Sequence, residues 1–142
     1  MAHHISIFIE NRPGRLEKIT KILQEANINM RAISIASLGE FGIVKILVNN
    51  PEKAYNQLKS NNITALLKKI IIVLVQDKPG GFYNLLQILS ENKINIEDSY
   101  GFILQDKKEA AIVIEVEKYP QTEEVLLKNG FKLLSDEEIY SL

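Results

Sequence analysis

The chain has 142 residues, 46% hydrophobic and 25% charged, with 17 Lys and Arg against 18 Asp and Glu. That composition describes a folded globular protein rather than a disordered one, and the absent basic excess argues against nucleic acid or an anionic membrane as partner. There is no cysteine, so disulfides, thiolate metal sites and cysteine nucleophiles have nothing to be built from, and with His3 and His4 the only histidines a histidine-centred triad or multi-histidine metal site has little to work with. The longest apolar run, residues 70–75, is far short of the ~20 residues that span a bilayer. No leader segment is visible at Met1-Ala2-His3-His4, and the expected location is the cytoplasm.

Taken in chain order, residues 5–10 read as a strand, punctuated by Asn11-Arg12-Pro13-Gly14. Leu16, Ile19, Ile22, Leu23 and Ala26 recur at helical spacing, and Asn27 ends that helix because Asn tolerates the left-handed conformation. Strands follow over 28–37 and 43–48, separated by a turn carrying Gly39 and Gly42. Pro51 opens a short helix to residue 60, and 63–67 is a weaker strand. The same order then returns: strand 70–76, helix 79–92, strands 94–104 and 109–117 around a polar turn at 105–108, helix 121–129 and strand 131–134. The tail, 136–142, adds a short helical turn.

The second half repeats the first. An offset of 66 lays residues 5–30 over 71–96 without a gap, with eight identities: Ile5, Pro13, Gly14, Ile22, Leu23, Glu25, Ile28 and Asn29. Farther on the offset becomes 68, which places Val44-Lys45-Ile46 over Ile112-Val113-Ile114. The chain is a duplication of a unit of about 70 residues, divided as 1–68 and 69–142. The βαββαβ order implies two α+β, ferredoxin-like units, each a four-stranded antiparallel sheet with both helices on one face. Pairing the two second strands would join the units into one eight-stranded sheet and cover an otherwise open edge.

Chemistry concentrates at the turn between first strand and first helix: Asn11-Arg12-Pro13-Gly14-Arg15-Leu16 and Asp77-Lys78-Pro79-Gly80-Gly81-Phe82. A helix N-terminus there presents unpaired amides and a positive dipole end, and glycine lets a ligand carboxylate approach. Asn11 accepts from an ammonium and donates to a carboxylate, whereas ionised Asp77 only accepts. Asn29 and Asn95 each follow 18 residues later, at the start of the second strand, and edge pairing would set each against the other copy's turn. Ordinary turn and cap chemistry accounts for the same residues without a ligand.

With Ile9-Glu10-Asn11-Arg12-Pro13-Gly14 followed by Ile28-Asn29, and the same order in the second copy, the chain resembles the ACT domain, an amino-acid-sensing regulatory module. It is similar to the regulatory domain of phosphoglycerate dehydrogenase and, as a tandem pair, to stand-alone ACT proteins that lack a catalytic domain. The resemblance implies an allosteric, non-catalytic protein that binds a free amino acid between adjacent domains; no cofactor or metal is expected, and an exposed sheet face or the remaining strand edges would support a homodimer. Asn11 and Asp77 would hold the ammonium, and backbone near Gly14, Leu16, Gly80 and Phe82 the carboxylate. Arg12, Pro13, Arg15, Pro79 and Gly81 complete the turns, and Asn29, Met30, Asn95 and Ile96 contribute across the interface. Serine-binding members carry a His two residues before the Asn, where this chain has Ile9 and Val75. The alternative is a regulatory subunit acting mainly by contact with a biosynthetic enzyme, as acetolactate synthase small subunits do.

Overall fold

The structure is a computed structural model that describes residues 2–104 and 108–141. The expected turn at 105–108 lies, except for Lys108, outside the described residues. The chain divides into two compact units. The first comprises His3–Lys68 together with residues 136–141, and the second Lys69–Ser135 together with Ala2.

The first unit runs β1 (Ala2–Glu10), α1 (Arg15–Glu25), β2 (Met30–Leu38), β3 (Phe41–Val48) and α2 (Pro51–Ser60). β4 (Thr64–Gln76) crosses the boundary between the units. The second unit continues with α3 (Gly81–Glu91), β5 (Ile96–Ile103), β6 (Glu109–Val116), α4 (Tyr119–Lys128) and β7 (Leu133–Leu134), and α5 (Asp136–Tyr140) closes the described chain. The strand order is β2-β3-β1-β4-β6-β5, with β7 also on β4.

The sheet therefore has seven strands where eight were expected. The segments 63–67 and 70–76, expected as two strands, are the single 13-residue β4. The expected pairing of the two second strands is also absent: β2 hydrogen-bonds to β3 and β5 to β6, and the two end the strand order. The physical reason is the missing linker. One strand, with Lys68 and Lys69 near its middle and no turn residue, passes from one copy into the next.

Within each unit the alternation of strand residues decides which face the helices cover. Ile5 and Ile7 of β1 and Val44, Ile46 and Val48 of β3 pack under Ile19, Ile22 and Leu23 of α1 and Ala54 and Leu58 of α2. In the second unit Ile71, Val73 and Val75 of β4 and Ile114 of β6 pack under Leu85 and Leu89 of α3 and Leu126 of α4. The duplication extends to register: Ile7 opposes Val44 and Glu10 opposes Phe41, as Val73 opposes Ile112 and Gln76 opposes Glu109. Even the irregularities repeat, since β2 shifts register between Met30 and Ala32, and β5 between Ile96 and Asp98.

Both first helices end through a left-handed residue. Asn27 (φ 57°) and Lys93 (φ 56°) turn the chain so that the Ile28 amide donates to the Leu23 carbonyl and the Ile94 amide to the Leu89 carbonyl, each at 2.9 Å. At the other end of the chain, the His3 amide donates to Asp136 Oδ1 at 2.9 Å, and His3 Nδ1 lies 2.9 Å from Asp136 Oδ2. α5 is thereby tied to the start of β1, with Ile139 fully buried.

Lysine is a poor occupant of a left-handed position, where a side chain meets the following carbonyl. Lys93→Gly is expected to raise stability by about 1 kcal/mol, measured as an increased urea midpoint at unchanged slope.

Candidate functional site

The turn after β1 is built by one backbone conformation used twice. Gly14 (φ 86°) and Gly80 (φ 88°) are the N-cap residues of α1 and α3, and both are left-handed. A Cβ at either would meet nothing within 4 Å, so glycine is required there by the dihedral and not by crowding. Neither helix carries a side-chain cap, which leaves first-turn amides to be satisfied by solvent or ligand. The turn itself is braced from within: the Arg12 amide donates to the Glu10 carbonyl and Lys78 to Gln76, each at 2.9 Å.

Asn11 ties this turn to the β2–β3 hairpin. Its amide donates to the Glu40 carbonyl at 2.8 Å, and its Nδ2 donates to the Gly39 carbonyl at 3.1 Å. Asp77 keeps the backbone half of that arrangement, donating to the Lys108 carbonyl at 3.0 Å, but an ionised carboxylate has no proton to donate as Asn11 does. Asn11, Arg12, Pro13, Gly14, Asp77, Pro79, Gly80 and Phe82 are exposed, Arg15 and Leu16 half-buried, and Gly81 buried. Arg12 and Arg15 both pair with the Glu10 carboxylate, Arg15 at 3.3 Å.

The remaining expected residues lie elsewhere in each unit. Asn29 and Met30 sit at the C-terminal end of α1, a helix of 11 residues and about 16 Å from the turn. The Asn29 amide donates to Asn49 Oδ1 and the Asn49 amide to the Asn29 carbonyl, both at 3.1 Å. These residues line a recess of about 370 Å³ with Thr20, Gln24 and Asn27. Asn95 and Ile96 line its counterpart of about 420 Å³ with Leu86, Ser90 and Lys93. Within a unit, then, the turn and the Asn-led second strand are not brought together.

Gly81 has a role that the turn pattern does not explain. Its backbone lies so close to β4 that a Cβ would stand 2.0 Å from the Gln76 carbonyl oxygen. Arg15 occupies the corresponding place in the first unit, where a side chain is accommodated. The doubled Gly80-Gly81 against the single Gly14 was the available sequence signal. In the second unit, burial pushes the Tyr100 phenol above its ordinary range, and the nearby Asp98 and Glu115 carboxylates push it further. Among the described residues no three His, Asp or Glu side chains are grouped to hold a metal ion, and no helix is long and apolar enough to cross a membrane.

The family model described as an ACT domain pair matches residues 1–142. The crystal structure of a protein from Bacteroides thetaiotaomicron is similar, with 33% identity and a TM-score of 0.93 over 99% of this chain and 96% of that one. The ligand-free regulatory subunit of aspartate kinase from Thermus thermophilus shares the fold at 18% identity and a TM-score of 0.64, over 89% and 91% of the two chains. Aspartokinase α and β subunits align at 18% identity and a TM-score of 0.61, over 89% and 90%. No curated protein matches the sequence.

Gly81→Ala is expected to destabilise the fold by about 1–3 kcal/mol through overpacking, while Arg15→Ala stays within about 0.5 kcal/mol; urea unfolding of the two variants separates crowding from turn strain. A tyrosine of the unfolded chain ionises near pH 10, and Tyr100 in the folded chain ionises above that. The stability it contributes is therefore complete below pH 10 and declines as pH rises past it, and Tyr100→Phe is expected to lessen that alkaline loss in denaturation curves.

Proposed function

The chain belongs to the ACT domain pair family, and we propose that it is a non-catalytic regulatory protein that binds a free amino acid at the interface between ACT domains, taken as 1–68 and 69–142. The observation that carries this reading is the doubled turn. In each unit a left-handed glycine opens a helix with no side-chain cap, three residues after a side chain with an acceptor oxygen, Asn11 or Asp77. First-turn amides and the positive end of the helix suit the α-carboxylate. Asn11 spends its Nδ2 on Gly39, which leaves Oδ1 for the ammonium, and Asp77 offers a full negative charge to the same group.

Arg12, Pro13, Arg15, Leu16, Pro79, Gly81 and Phe82 shape the turns, while Asn29, Met30, Asn95 and Ile96 approach the ligand from a neighbouring ACT domain. A second copy of the chain is the source of that neighbour we favour, because β2 and β5, which Asn29 and Asn95 immediately precede, end the strand order. A homodimer paired through those edges would complete the sites. The ligand would favour the arrangement it bridges and so shift the population of the assembly, and with it a partner enzyme of amino-acid metabolism.

A thermal-shift screen of the full chain against the twenty amino acids tests the reading. A ligand at 100 times its dissociation constant is expected to add ~2.7 kcal/mol, with the gain reduced in Asn11→Ala or Asp77→Ala. No shift with any amino acid would overturn it.

A further inference from the structure

The recess at the C-terminal end of α1, of about 370 Å³, is formed wholly within the first unit. Thr20, Leu23, Gln24 and Asn27 follow one another at spacings of three, one and three residues, so they share one face of the helix and its exit. Leu23 is the buried member, and the other three bring polar groups to the wall. The Thr20 hydroxyl donates to the Glu17 carbonyl at 2.9 Å, which leaves its lone pairs to accept. The Gln24 and Asn27 carboxamides make no hydrogen bond among the described residues. Asn49 joins them from the segment before α2, where its Oδ1 accepts from the Asn29 amide and its Nδ2 is left to donate. Among the described residues no ionisable side chain lines the recess.

The duplication provides an internal control for what the fold alone requires. The counterpart in the second unit, of about 420 Å³, keeps Leu89 for Leu23, Ile94 for Ile28 and Asn95 for Asn29. The wall differs at all three polar positions: Leu86 stands for Thr20, Ser90 for Gln24 and Lys93 for Asn27. Packing therefore holds the buried members of this face, whereas an uncharged polar wall is not demanded by it and occurs in one copy only.

We propose that the first unit's recess selects the side chain of the bound amino acid, and that it takes a neutral one able to donate and accept hydrogen bonds, a hydroxyl or a carboxamide. The inference rests on the amino-acid-binding reading, in which Asn29 and Met30, both on this recess, approach the ligand from a neighbouring ACT domain. Thr20, Gln24 and Asn27 determine the specificity, and the Asn29 amide positions Asn49. A hydrocarbon side chain would displace water from these groups without replacing its hydrogen bonds. A carboxylate would meet the negative end of α1, and an ammonium would find no counter-ion in the wall.

Nuclear magnetic resonance titration of the full chain with isosteric pairs tests it: L-threonine against L-valine, L-asparagine against L-aspartate and L-glutamine against L-glutamate, with L-lysine as the cation. Affinities read from the Gln24 and Asn27 side-chain amides and the Met30 methyl report the first unit's recess alone. At least one neutral hydrogen-bonding amino acid is expected to bind there about tenfold or more tightly than its isostere. The Thr20→Leu, Gln24→Ser, Asn27→Lys triple variant carries residues with which the second unit folds at the same positions, and it is expected to lose most of that preference, read at Met30. Gln24→Ser alone is expected to lose part of it. Equal or tighter binding there of valine, aspartate, glutamate or lysine, binding that leaves all three resonances unmoved, or a preference unchanged in both variants would overturn the inference and leave the amino-acid reading standing. Binding of none of the twenty amino acids would overturn both.

Discussion

In each unit the first strand passes into the first helix over four residues through one residue of positive φ, Gly14 and again Gly80, and the rest of the molecule depends on that turn. The left-handed glycine turns the chain back so that α1 and α3 lie across the strands just left, and Ile19 or Leu85 falls onto the β-sheet core. The same conformation excludes a capping side chain, because glycine has none. The turn that makes the fold possible therefore also leaves amides unsatisfied at the positive end of a helix. Structure and ligand chemistry have a common origin here, which is why the turn by itself is an ambiguous signal and its surroundings decide.

Those surroundings have diverged between copies that otherwise superpose in register. The Asn11 side chain fastens its turn to a hairpin carbonyl, whereas Asp77 keeps the backbone bond to Lys108 and, ionised, has no side-chain proton to donate. Gly81 lets α3 approach the Gln76 carbonyl where Arg15 holds a long cation at the same point of α1. Thr20, Gln24 and Asn27 give the first unit a polar recess at the end of α1, where Leu86, Ser90 and Lys93 stand in the second. A duplication that keeps Ile, Leu and Val at core positions while changing charges at every recess is one in which packing is held and binding is free to differ.

Most of the fold was legible in the sequence because its determinants are local. Alternating Ile and Val marked the strands, the 3.6-residue stripe from Leu16 to Ala26 marked α1, and Pro51 marked the start of α2. The merger of two expected strands into β4 was not legible, since Lys68-Lys69 between two apolar segments reads as a break, yet no Gly, Pro or Asn stands there to turn the chain. The tie between His3 and Asp136 joins residues 133 apart, and no spacing rule reaches that far. For the candidate site, the two turns were readable as turns, from Pro-Gly after Asn-Arg and Asp-Lys. The recess at the end of α1 was not, because Thr20 and Gln24 come from α1, Met30 from β2 and Asn49 from the segment before α2, and they meet only after folding.

The central claim, that the glycine-opened helix starts receive the carboxylate of an amino acid, is tested most directly by amide chemical shifts of the uniformly ¹⁵N-labelled chain titrated with the amino acid that stabilises it. The account predicts saturable downfield shifts of the first-turn amides, Leu16 and Glu17 in the first unit or Phe82 and Tyr83 in the second, as each gains a charged acceptor. Saturable binding that leaves these four amides unmoved while shifting others would contradict it.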